Sequence, residues 1–209
     1  MTEEASPVTS AEILQAASQD VSVVRGLAPL YADCYVCGPA MTCACAACDN
    51  LAMHYALMTA PPGTVMVCAA NGLLDCGYFG ELAGIDAQNR GLLGLVMDGS
   101  IRDAADLERL KFPIFYAGTA PSSCTKKSLI SLGETVVVRG VAINPGDQIV
   151  ADRDAVVVIR KDRWPDVEKG AEAVHERENA MRARLREGEP LSSMISLPAD
   201  APATEASTR

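Results

Sequence analysis

Between residues 64 and 118 short apolar runs alternate with helical segments, and this alternation limits the possible folds more than any other feature of the chain. TVMVCAA (64–70), LLGLVM (92–97) and FPIFYAG (112–118) are brief, apolar and bounded by turn residues, as buried strands are. GELAGIDAQNRG (80–91) and residues 100–110 read as helices, the first stopped by Arg90-Gly91, with Asp98-Gly99 as a turn between strand and helix. Strand and helix in strict succession predict a parallel sheet covered by helices, hence an α/β layered domain.

The flanking segments extend this frame. Ser10 followed by AEILQAA reads as a short capped helix after a frayed stretch, 1–9. VCGPAMTCACA (36–46) reads as a strand after a Gly-Pro turn, and CDNLAMHYALMTA (48–60) as a helix stopped by Pro61-Pro62-Gly63. Residues 134–143 and 145–159 read as successive strands with turns at Pro145-Gly146 and Asp152–Asp154, and 164–187 as one long helix. The length of 209 residues suits a single domain, since one core grows to roughly 250 residues before splitting. That domain is expected over 1–189, with 190–209, rich in Ser, Pro, Ala and Thr, as a loose tail.

A net charge of −9 argues against nucleic-acid binding, which needs a basic surface to displace counterions, and against adhesion to anionic membranes. No apolar run reaches the roughly 20 residues of a membrane span, and the acidic N-terminus lacks the basic and apolar parts of a signal peptide; a cytoplasmic location is expected. Five of the eight cysteines fall between Cys34 and Cys48. Cys34 and Cys37 have zinc-knuckle spacing, but no second well-spaced pair or nearby His accompanies them, whereas Cys43 and Cys45 alternate as inward strand residues do. A strand-core role is preferred, Cys68, Cys76 and Cys124 read as core or loop residues, and disulfides are not expected in a cytosolic chain.

Three places could carry chemistry. In the C-terminal helix, Val167, Ala171, Val174, Glu178, Met181 and Leu185 mark one apolar stripe that Glu178 interrupts. A carboxylate there either pairs with an Arg at an exposed helix end or points into a site, and pattern alone leaves both open. The strand–turn–helix LGLVMDGSIRDAADL (93–107) sets Asp98, Arg102 and Asp103 at a strand end, where open α/β sheets place ligands. Asp103 offers hard oxygens suited to Mg²⁺ or Mn²⁺, and Arg102 a planar fork for a carboxylate or ketone oxygen; the plainer alternative is a helix cap beside a surface charge. CGYFGELAG (76–84) enters a helix with Glu81 in its first turn, where backbone amides form an anion site. His54 and His175 are the only histidines, and His54 reads as a core or interface residue.

These segments together resemble the RraA-like family, which includes 4-hydroxy-4-methyl-2-oxoglutarate and 4-carboxy-4-hydroxy-2-oxoadipate aldolases. The similarity runs from about residue 36 to 189, through GPAMTCACAACDNLAMHYAL, PPGTVMV, FGELAGIDAQNRGLLGLVMDGSIRD and HERENAMRARLREGEPL. The family motif is an acidic residue, twenty intervening residues, then Arg-Asp, matched by Glu81 and Arg102-Asp103. Two departures are Glu81, where family members usually have Asp, and Asp154-Ala155, where they have Asp-Gly.

The resemblance implies an αββα sandwich of the swivelling β/β/α type, assembled as homotrimers or hexamers with sites between subunits. It implies a lyase: a metal-dependent pyruvate aldolase with oxaloacetate decarboxylase activity, acting on a small 2-oxo acid. By the same resemblance Asp103, Glu81 and a neighbouring subunit's Glu178 hold Mg²⁺ or Mn²⁺ directly or through water, and Arg102 faces the ketone oxygen. Gly80, Leu82 and Ala83 then receive the substrate carboxylate. A non-catalytic regulator that binds a ribonuclease is the alternative, disfavoured by the Asp that follows Arg102. A divergent enolate-forming enzyme acting on a specialised metabolite is another.

Overall fold

The computed structural model describes residues 7–196. The first half of the chain runs α1 (Ser10–Ala17), β1 (Val21–Val24), β2 (Ala28–Pro29), β3 (Val36–Ala44), α2 (Leu51–Thr59), β4 (Val65–Ala69), β5 (Gly77–Phe79), α3 (Glu81–Asn89) and β6 (Gly94–Met97). It continues through β7 (Ser100–Ile101), α4 (Ala104–Leu110), β8 (Ile114–Tyr116), β9 (Gly118–Thr119), β10 (Ser131–Leu132) and β11 (Val136–Val138). The last elements are β12 (Val141–Ile143), β13 (Gln148–Ala151), β14 (Val156–Ile159), α5 (Trp164–Arg186) and a 3-10 turn at Leu191–Ser193.

The expected parallel core is present: β3, β4, β6 and β8 pair in parallel, in that order, with α2, α3 and α4 as their connections. Antiparallel strands extend the sheet, β13, β14 and β1 on the β3 side and β2 beyond β8. β3 is the corner of this sheet. Its first half, Val36–Pro39, pairs with β13, and its second half, Ala40–Ala44, pairs with β4. Gly38-Pro39, expected as a turn before the strand, therefore lies inside it at the point where the strand changes neighbours. Bends of this kind let one strand serve two packed sheets.

The two halves of the sheet face each other, and residue alternation assigns each strand's two faces. Val65, Val67 and Val96 meet Ile149, Ala151, Val156 and Val158 in the middle cluster, together with Val136, Val138 and Ile143 of the β11–β12 hairpin. Met66, Cys68, Leu95, Met97 and Ile114 turn outward against Ala52, Met53, Ala56 and Leu57 of α2 and Leu107 of α4. On the far side Val150, Val157 and Ile159 pack under Ile13 of α1 and Val167 and Ala171 of α5. The order helix, sheet, sheet, helix is the αββα sandwich.

Several boundaries shift for local reasons. Thr9 caps α1, not Ser10: its hydroxyl accepts from the Glu12 amide at 3.3 Å and its own amide donates to the Glu12 carboxylate at 2.8 Å, a complete capping box. Ser10 instead bonds Asp152 through both its amide and its hydroxyl. Val8 also contributes, its carbonyl accepting from the Tyr35 hydroxyl, so the stretch expected to fray is engaged from residue 8; residues 1–6 lie outside those described. Of the expected tail, 190–196 folds back beside the end of α5, and the remainder lies outside the described residues. Among the described residues no helix is long and apolar enough to cross a membrane.

The cysteines divide. Cys43 and Cys45 are buried in the core with Cys68, as the strand-core reading expects. Cys48 and Cys76, however, form a disulfide, which corrects the expectation that none would occur. The loop after β3 and the loop before β5 end side by side, bringing the two Cα atoms to 5.4 Å, within the span a disulfide bridges. A separation of 28 residues gave no hint of that meeting.

Candidate active site

The site grows from the C-terminal ends of the parallel strands. Each of β4, β6 and β8 is followed by a second short strand, and these three, β5, β7 and β9, pair in parallel into a small separate sheet. Chain ends of a parallel sheet are where α/β proteins gather ligands, because the connecting loops diverge there. Asp98 ends β6, and its buried carboxylate accepts the Ala70 amide at 2.6 Å. It ties the end of β6 to that of β4 and is structural, not ligand-facing as its position at a strand end had suggested.

Arg102 and Asp103 follow β7. The Arg102 amide donates to the Phe79 carbonyl at 2.9 Å, which sets the residue against the start of α3. Its guanidinium donates to the Ser123 hydroxyl at 2.7 Å and lies 3.3 Å from the Asp103 carboxylate. Asp103 takes the N-cap position of α4 with φ +54, in the left-handed region, and its side chain caps nothing. A non-glycine residue is strained there, and the carboxylate is half exposed, with Arg102 as its partner. The plainer expectation of a capping Asp is thereby removed.

Glu81 opens α3, with Gly80 as N-cap and no side chain capping the helix. The first-turn amides, including those of Leu82 and Ala83, consequently have no partner within the helix. Gly80 is required by proximity: a Cβ there would sit 2.7 Å from the Asp103 carboxylate and 2.9 Å from the Arg102 side chain. Glycine lets the helix start, the arginine and the aspartate converge.

A cavity of about 270 Å³ opens at this junction, lined by Gly80, Leu82, Ala83 and Arg102 together with Asn50, His54, Ser123 and Lys126. Gly80, Leu82, Ala83 and Arg102 were expected together; Asn50, His54, Ser123 and Lys126 were not. His54, read from the sequence as a core or interface residue, is partly buried and lines the cavity. Burial, reinforced by the charge of Lys126, lowers its pKa and so favours the neutral imidazole. Asn50 is held rigidly: its side-chain amide donates to the Tyr78 carbonyl at 2.8 Å, so its oxygen is an acceptor, buried and without a partner. A buried acceptor left unpaired is costly. The neighbouring Asp49 secures the wall. Burial alone would raise its carboxyl, yet donors at Thr125 and the amides of Leu51 and Lys127 bring it down to about 2.

Glu178 lies elsewhere in the chain. Val167, Ala171 and Val174 are buried as the stripe requires, but beyond them α5 emerges at the surface, and Leu185 is exposed. Glu178 pairs with Arg182 at 2.8 Å and lines a groove with Gln15, Met181, Met194 and Ile195. Within one chain the structure does not bring it to Arg102 and Asp103. Among the described residues no three His, Cys, Asp or Glu side chains are grouped to hold a metal. A single chain thus offers Asp103 and Glu81 at most, a sparse set of hard oxygens. Such a set suits Mg²⁺ or Mn²⁺, which commonly retain several waters and few protein ligands.

Comparison with known proteins accords with this architecture. A protein of Halalkalibacterium halodurans named "Putative 4-hydroxy-4-methyl-2-oxoglutarate aldolase" is 38% identical over 139 residues, covering 66% of this chain and 66% of its own length. An uncharacterized protein of Methanocaldococcus jannaschii is 34% identical over 126 residues, 60% of this chain and 61% of its own length. The matches therefore span somewhat under two thirds of these relatives. Among solved structures, Streptomyces coelicolor RraAS2, described as an unusual member of the RNase ES inhibitor RraA protein family, superposes with TM-score 0.74 at 28% identity, covering 84% of this chain and 91% of that one. The family profile described as Aldolase/RraA matches residues 9–158, most of the folded chain, and with it the chain belongs to the RraA-like family.

Proposed function

We propose that this chain is a divalent-metal-dependent class II pyruvate aldolase that cleaves a 4-hydroxy-2-oxo acid, of the 4-hydroxy-4-methyl-2-oxoglutarate type, and also decarboxylates oxaloacetate. The observation that carries the reading is a cavity lined by Arg102, Leu82 and Ala83, the amides of the last two unpaired within α3, with the strained, uncapping Asp103 beside it, 3.3 Å from the Arg102 guanidinium. Its name-level support is the aldolase name of the Halalkalibacterium halodurans relative.

Asp103 would hold Mg²⁺ or Mn²⁺, with Glu81 and Glu178 of a neighbouring subunit ordering its waters. When bound, the ion supplies a Lewis acid for charge developing on the substrate's oxygens. The amides of Leu82 and Ala83 receive the C1 carboxylate, as free helix N-terminal amides do. Arg102 donates to the ketone oxygen, where the electron pair of the breaking C3–C4 bond collects as enolate; a donor aimed at developing charge is a large catalytic term. Glu81, in the first turn of α3, is the carboxylate assigned to take the proton of the C4 hydroxyl. Oxaloacetate loses CO₂ through the same enolate.

Lys126 bears on the competing chemistry. The site segments 76–84 and 93–107 contain no lysine, which argued against an imine, but Lys126 reaches the cavity from a distant loop. It is exposed to solvent, whereas imine-forming lysines are desolvated or crowded by another cation. Borohydride added with oxaloacetate should leave the chain mass unchanged. The main assay is pyruvate release from oxaloacetate: EDTA should abolish it, Mg²⁺ or Mn²⁺ restore it, and Arg102→Ala lower kcat by about 10²–10³. Activity indifferent to EDTA, or a normal rate in Arg102→Ala, would sink the proposal. A second reading follows the ribonuclease-inhibitor description of the Streptomyces coelicolor neighbour. Stable complex formation with an RNase E-type enzyme, without turnover of any 2-oxo acid, would favour it.

A further inference from the structure

The Cys48–Cys76 disulfide lies behind the wall of the cavity, joining two segments whose next residues line it. Asn50 follows Cys48 by two residues, Gly77 and Tyr78 follow Cys76 directly, and all three line the cavity. Hydrogen bonds draw a third segment to the same point. The Cys48 amide donates to the Tyr78 hydroxyl at 3.0 Å and its carbonyl accepts from the Thr125 amide at 2.8 Å. The Asn50 amide donates to the Thr125 carbonyl, and the Gly77 amide to the Ser122 carbonyl. The segments carrying Asn50, Tyr78 and Ser123 are thus fastened to one another around a single covalent link.

Three features set this bond apart from a fold-holding staple. Neither sulfur belongs to the hydrophobic clusters that hold the sheets together, so the layers persist when it opens. Cys48 is held at φ +48, a left-handed conformation that costs a non-glycine residue energy. Cys48 is partly exposed while Cys76 is buried, so the Cys48 side is the one from which an incoming thiolate approaches. Cys124 stands on the same wall, donating to the Gly77 carbonyl, but burial pushes its thiol up to about 11, which keeps it out of the exchange.

We propose that Cys48–Cys76 is a thiol–disulfide exchange site whose reactant is a dithiol reductant, and that its redox state latches or loosens the substrate cavity. A thiolate of the dithiol attacks the Cys48 sulfur and Cys76 departs as thiolate, taking up a proton. The second thiol of the reductant then attacks its own sulfur in the mixed disulfide and releases Cys48. Two electrons and two protons pass to the protein, and the dithiol becomes a cyclic disulfide. Glutathione disulfide reverses the exchange.

The effect on turnover rests on the proposed aldolase activity, whereas the redox and exchange measurements do not. Dithiothreitol added to the folded protein should raise the thiols found after acid quench and denaturation from six to eight. Hydrogen exchange at the amides of Asn50, Gly77 and Thr125 should accelerate at least tenfold, while that of β4 and β6 stays unchanged. KM for oxaloacetate should rise at least threefold with kcat altered less than twofold, and glutathione disulfide should reverse both changes. The double variant Cys48→Ser/Cys76→Ser should show the reduced-state KM and ignore dithiothreitol. A bond that yields only on unfolding, unchanged exchange at the three amides, or a double variant with the oxidised-state KM overturns the latch. Redox-dependent exchange in a protein without turnover upholds it and removes the aldolase reading instead.

Discussion

Asp49 anchors the cavity wall by accepting from Thr125, Lys127 and Leu51, and the gain from these donors exists only while the carboxyl is ionised. Its folded pKa of about 2 lies below the ordinary 3.8, so its contribution is complete above about pH 4 and disappears as pH falls through 2. Asp49→Asn, which presents an amide to some of those donors, should lower Tm by a few degrees at pH 7. The gap to the wild type should close between pH 4 and pH 2 in thermal scans. A gap independent of pH would assign the loss to shape and not to charge. Little of this was legible beforehand: an Asp-Asn pair before a helix looks like an ordinary start signal, and the donors at 125 and 127 arrive from a loop far along the chain. Arg102 and Asp103 were legible because strand, turn and helix around them are local.

At the scale of elements, the junction of β5 with α3 decides whether the site exists. Gly80 lets α3 start against Arg102 and Asp103, and its own φ of −136 is one an alanine adopts freely. Gly80→Ala should therefore fold with a nearly unchanged Tm, yet push both side chains aside. Misplacement by about 1 Å costs near 10²-fold in rate, and kcat/KM for oxaloacetate should fall by about that factor. An unaltered kcat/KM would remove Arg102 and Asp103 from the chemistry. The elements themselves were mostly evident from periodicity and turn residues. β3 was the exception, since Gly-Pro signals a turn in isolation and only its two pairing partners reveal a strand that changes sheets.

For the whole molecule the question is where Glu178 acts. In one chain it pairs with Arg182 above a groove remote in its lining from the cavity. If Glu178 completes a neighbour's site, inactive Arg102→Ala and Glu178→Ala chains should complement one another. Mixed after co-expression, they should regain about a quarter of wild-type turnover, because a chain with Arg102 then meets a neighbour with Glu178 in one pairing of four. Mixtures as inactive as their parents would confine the site to one chain, and light scattering on the same samples would distinguish trimer from hexamer.

The sequence by itself determined the layers. Apolar runs and helical periodicities are local consequences of burial, so the α/β class, the parallel core and the Arg102-Asp103 turn can be read along the chain. Tertiary structure alone decided which distant segments meet. Loop 48–50, loop 76–80 and loop 122–126 converge on one cavity, joining Cys48 to Cys76 and bringing in Asn50, His54, Ser123 and Lys126. No local propensity encodes that meeting, because it follows from the order and direction in which β3, β4 and β6 pair.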